Sequence, residues 1–176
     1  GVPTSVREMA AATAREAGQR GWRFTLKAPS YVPFMKFAKS RSLRERMYHA
    51  YVTRASEMGP GEGRWDNSEV MVNILTLRRQ MASLLGYDNF AEYAMETRMA
   101  ASVAEVDQFL SDLVRRARGH AEDELQALVV FARETDDVCD LQAWDHAFYA
   151  ERLREVHFAL SQETLRPYFP LPRVLN

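Results

Sequence analysis

Apolar side chains recur at three- and four-residue intervals along almost the whole of this 176-residue chain, which leaves little besides a helical fold open to it. Thr4 can cap a first helix that ends near Gly18, and Ser30 a brief one through Ala38 with Pro33 in its first turn. Ser40 or Ser42 opens a third, with Leu43, Met47, Ala50 and Tyr51 on one face. Asp66 or Asn67 caps a strong helix in which Val70, Met71, Ile74, Leu77, Met81 and Leu84 are expected to face inward, with Gly86 as its stop. Asp88 caps another through about Arg98.

Ser102 and Glu105 form a capping box, opening a helix that can run to about Glu134. Val106, Phe109, Leu110, Leu113 and Ala117 line its first half; Ala121, Leu125, Leu128 and Val129 line its second. Gly119 invites a bend between them. A last long helix spans about Gln142 to Leu160, followed by a turn capped by Ser161 and stopped by Pro167, Pro170 and Pro172. The sole strand signal is the alternation of Trp22, Phe24 and Leu26 with Arg23 and Thr25. The Gly59–Gly63 stretch, with three glycines and a proline, reads as a loop. The expectation is a mainly α fold of about seven helices, with one short extended segment near residues 22–26, in a single unit over residues 1–176.

Charge and composition narrow the partners. With 23 basic against 24 acidic residues, the chain shows no excess of cations of the kind that phosphate binding demands, so neither nucleic acid nor a membrane surface is expected as a partner. The longest uncharged apolar run, Ala127 to Ala132, is far below the ~20 residues of a membrane span. Charges interrupt Gly1 to Gly21, so this stretch is not read as a secretory leader; with the lone Cys139, that favours a reducing, cytoplasmic setting.

The residues that could carry chemistry are scattered. His120-Ala121-Glu122-Asp123-Glu124 holds one histidine where a helical zinc site needs two, four residues apart, so a solvated helix face is expected. His146 and His157 share a helix side but stand about 16 Å apart at 1.5 Å per residue, too far for one ion. A metal site built from His120, His146 or His157 with nearby acids is the weakest alternative. His49 is expected to pack, partly buried. Cys139 follows an acidic pair that disfavours the reactive thiolate. Arg115, Arg116 and Arg118 stand at helical spacing from Glu122, Asp123 and Glu124, and surface ion pairs are expected there. No catalytic or metal-ligating residue is assigned, and the substrate-binding residues are unknown.

Several blocks nevertheless resemble one family. Gly21-Trp-Arg-Phe-Thr-Leu-Lys-Ala-Pro-Ser-Tyr31, the run from Leu43 through Ser56, Trp65-Asp66-Asn67, Leu84 through Tyr93, Leu141 through Tyr149, and Leu165 through Pro170 occur in the order found in the oligopeptidase A branch of the thimet oligopeptidase (neurolysin-like) zinc metallopeptidases. Lys27, where relatives often have Asp, and Phe148, where they usually show Tyr, depart from the pattern. The resemblance implies an internal helical fragment of a cytoplasmic zinc enzyme that cleaves short peptides in a channel between helical domains. The family's His-Glu-x-x-His motif, whose glutamate serves as general base, does not occur in these residues. By this reading zinc belongs to the parent enzyme, the fragment alone is inactive, and its partners are short peptides and the missing catalytic portion of the same protein. The alternative is a stand-alone helical scaffold or interaction domain without catalysis.

Overall fold

Local signals set where the helices begin and end. A computed structural model describes residues 1–159 and 168; the expected turn at Ser161 and the stops at Pro167, Pro170 and Pro172 lie outside the described residues. In chain order the helices are α1 (Thr4–Glu16), α2 (Ala28–Phe37), α3 (Arg41–Val52), α4 (Ser68–Leu84), α5 (Phe90–Met95), α6 (Val103–Asp136) and α7 (Ala143–Phe158). Gly18 and Gly86 take the left-handed conformation just past α1 and α4, as their positions predict. Asn89, not Asp88, caps α5 by accepting from the Glu92 backbone N–H at 3.0 Å. The Ser102 hydroxyl accepts from the Glu105 N–H, while the Glu105 carboxylate reaches one residue further back, to the Ala101 N–H. Gly119 leaves α6 continuous over its 34 residues.

The strand signal at residues 22–26 is corrected. No strand forms there, nor elsewhere among the described residues, and Trp22 lies exposed. Alternation alone cannot make a strand without a neighbour to pair with. Backbone donors here find other partners: the Arg23 N–H binds the Ala10 carbonyl, and the Thr25 N–H binds the Ser30 hydroxyl. That bond also explains why Ser30 lies inside α2 instead of capping it, with Lys27 at the cap and Pro29 in the first turn.

The chain forms two compact units, one of residues 1–52 together with residues from 126 on, the other of residues 53–125. In the first, α2 packs against α1, α3 and α7. Phe34, Met35 and Ala38 are its buried centre, covered by Phe24, Tyr31, Met47, Tyr48 and Trp144. Phe24 meets Phe34 edge to face, and Tyr31 stacks on Tyr51 with ring centres 3.9 Å apart. A second cluster joins the end of α6 to α7, where Ala132, Phe148 and Tyr149 are buried beneath Leu128, Phe131, Val138 and Leu141.

In the second unit α5 packs on α4, and Ala82 is buried. The inward placement expected of the α4 stripe is not found: Val70, Met71, Ile74, Leu77, Met81 and Leu84 are exposed, from 39% at Met81 to 88% at Leu84. Phe109, Leu110 and Leu113 on α6 are likewise exposed. An amphipathic pattern records that a face is built to be covered, but this stretch of chain does not itself supply the cover.

Two glycines in this unit give opposite expectations. A Cβ on Gly59 would lie 2.6 Å from the Thr53 carbonyl oxygen, whereas one on Gly119 meets nothing within 4 Å. Urea unfolding followed by circular dichroism should show Gly59→Ala destabilising by about 1–3 kcal/mol. Gly119→Ala should stabilise by up to about 1 kcal/mol, because mid-helix glycine is costly.

Candidate functional site

The polar centre of the first unit is a buried ion pair. Arg44 follows the helical spacing of Met47, Tyr48 and Tyr51, so α3 carries it inward; Asp145 sits in the first turn of α7, where a carboxylate suits the helix N-terminus. Both are essentially excluded from solvent. The Arg44 Nη2 donates to Asp145 Oδ1 at 2.7 Å. Its Nη1 donates to the Ala38 and Lys39 carbonyls at 2.8 and 3.2 Å, and its Nε to the Trp144 carbonyl at 3.2 Å. The guanidinium also lies 4.1 Å from the centre of the Phe148 ring. One cation from the first turn of α3 therefore serves the carbonyls just past α2 and the start of α7.

Arg41 completes the pair from the solvent side, with Nε and Nη2 donating to Asp145 Oδ2 at 2.9 and 2.7 Å. The Gln142 backbone N–H donates to the same oxygen. Burial pushes the Asp145 carboxyl up, but the bonds from Arg41 and Arg44 outweigh it and hold the group below the usual aspartate range. The bond to Asp145 raises the Arg41 guanidinium in turn.

Two further anchors flank this centre. Lys36 on α2 meets the buried Glu151 of α7 at 3.2 Å, and Arg154 pairs with the same carboxylate. Burial raises Glu151, but Arg154 and Lys36 bring it below the ordinary value. The Tyr149 hydroxyl donates to Asp136 Oδ2 at 3.0 Å, and Arg152 pairs with that aspartate, tying α6 to α7. Burial and the Asp136 carboxylate push the Tyr149 phenol up. A cleft of about 580 Å³ opens among Lys36, Arg41, Asp136, Tyr149 and Glu151. The ion pairs of Lys36 with Glu151 and of Arg152 with Asp136 brace the helices that line it.

The residues weighed for chemistry are not brought together. His120, His146 and His157 are all exposed, as is Cys139, and no group of three or more His, Cys, Asp or Glu that could hold a metal occurs among the described residues. His49, expected to be partly buried, is exposed, although its ring lies 5.4 Å from that of Trp144 and 5.8 Å from that of Tyr48. Arg115 and Arg116 turn back to Asp112 instead of forward to Glu122, Asp123 and Glu124. What sequence reasoning missed is the Arg44–Asp145 pair. The available signals were a lone arginine on an apolar helix face and a Gln-x-x-Asp start to α7.

The buried polar centre of the first unit thus braces α2, α3 and α7 of a mainly helical chain. The chain belongs to peptidase family M3, whose family model matches residues 34–176. Over all 176 residues it is 45% identical to oligopeptidase A of Haemophilus influenzae and 44% identical to that of Escherichia coli, covering 26% of either relative. It is 31% identical to the dipeptidyl carboxypeptidase of Escherichia coli over 169 residues, which is 96% of this chain and 24% of that protein. The chain thus spans about a quarter of the length of these relatives.

Asp145→Asn leaves the Arg44 cation buried without its counter-charge and should cost about 3–5 kcal/mol in urea unfolding at pH 7. The folded-state values of Asp145 and Glu151 are depressed, so their stabilisation is complete above the unfolded carboxylate values, about 3.9 and 4.3, and is lost as pH falls through the lower folded ones. Stability measured from pH 6 down to pH 2 should therefore fall less steeply in Asp145→Asn than in the native chain.

Proposed function

We propose that this chain is a helical wall segment of a zinc-dependent oligopeptidase that hydrolyses short peptides in the cytoplasm, and that by itself it neither holds zinc tightly nor cleaves peptides. The observation that carries the reading is 45% identity to an oligopeptidase A along the whole of this chain but only 26% of that relative. The lower identity, 31%, to a dipeptidyl carboxypeptidase favours the oligopeptidase side of the family.

The residues present do not fit a zinc site. His-Glu-x-x-His is missing from the sequence, and the described His, Cys, Asp and Glu residues gather in no metal-capable group. The metal and the activated water it supplies when bound are assigned to the remainder of the longer polypeptide. This chain's own residues serve by position. Arg44, Asp145, Lys36 and Glu151 fix α2, α3 and α7 against one another, which is what the wall of a peptide channel requires. The single exposed cysteine suits a reducing compartment.

Calorimetric titration of the 176-residue chain with zinc and a quenched fluorescent peptide assay test this reading. No stoichiometric micromolar binding and no turnover are expected, while the gene should continue in frame to a His-Glu-x-x-His segment. Turnover by the chain alone, or a gene ending at Asn176, overturns it in favour of a self-sufficient protein.

A further inference from the structure

The second unit carries its apolar surface on the outside. On α4, Val70, Ile74, Leu77 and Leu84 form one stripe, with Met71 and Leu75 beside it, and all are exposed. At 3.6 residues per turn these positions cover roughly half the circumference. α5 packs on this helix and leaves that arc bare. Over residues 103–125, α6 repeats the condition, with Phe109, Leu110, Leu113 and Val114 exposed in two successive turns. Contiguous apolar surface of this kind marks a face that something covers.

The width of the α4 arc bears on what that is. A single helix laid along it, as in a two-fold pair of identical chains, covers one stripe and leaves its neighbours wet. An arc of half a turn or more calls for several neighbouring elements, as in the interior of a larger protein. Such elements have a source, because the chain amounts to 26% of the length of its oligopeptidase A relatives.

We infer that the bare faces of α4 and of residues 103–125 in α6 are the surface onto which the rest of the parent polypeptide packs, forming one shared apolar interior. The inference rests on the reading of this chain as part of a longer peptidase, and its test separates the two. With Cys139→Ser removing the native thiol, Leu77→Cys and, independently, Leu113→Cys report on each face through labelling by N-ethylmaleimide, read by mass spectrometry of the relevant peptide. In the 176-residue chain both cysteines should label freely. In the full-length gene product each should label at least about tenfold more slowly, as for side chains reached only by local opening. Equal rates in a full-length protein that hydrolyses peptides overturn the docking surface and leave the peptidase reading intact. Protection within the 176-residue chain that deepens with its concentration identifies a second copy as the cover and also overturns the inference. A gene encoding nothing beyond this chain overturns the peptidase reading itself.

Discussion

The first unit depends on one buried cation. Removing Arg44 and Asp145 from water costs several kcal/mol per ion before any contact is counted. That cost is offset only because the guanidinium finds the carboxylate, two carbonyls at the end of α2 and one at the start of α7 in a single geometry. Misplacing any of the three helices leaves a charge or a carbonyl without its partner. The apolar contacts around Phe34 and Phe148 tolerate small shifts; the hydrogen-bond fork of Arg44 does not. Hydrophobic burial supplies the drive to associate, and the ion pair selects the one arrangement that is allowed.

Much of this architecture was legible in the sequence because it is local. The Ser102 and Glu105 signal, the glycines at 18 and 86, and the apolar spacing placed helices where α1, α4 and α6 form. What was not legible is nonlocal. Arg44 and Asp145 lie 101 residues apart, and neither has a neighbour in sequence that announces the other. The Trp22, Phe24 and Leu26 alternation misled for the same reason, since a strand is a property of two segments and no partner segment pairs with it among the described residues. The stripe from Val70 to Leu84 was read as facing inward but lies exposed, because periodicity marks an apolar face without saying what covers it. The reaction centre is of another kind, since the His-Glu-x-x-His pattern that would make one legible does not occur in this sequence.

The two units express family membership differently. Residues 1–52 with the described residues from 126 on bury an interior with paired charges, whereas residues 53–125 expose long apolar side chains beside well-formed helix caps. Sound helix punctuation together with an uncovered face is what a segment shaped within a larger molecule should show. Its local rules are obeyed, while its apolar faces stand uncovered.

The distance along the chain between Arg44 and Asp145 also sets a clock on biosynthesis. Arg44 leaves the ribosome 101 residues ahead of the carboxylate it must meet. At about 5–20 residues per second, α2 and α3 spend roughly 5–20 s able to collapse but unable to bury that guanidinium at a tolerable cost. Until α7 emerges, closing α2 and α3 over the guanidinium would bury a charge without its counter-ion, the costly case for any ion pair.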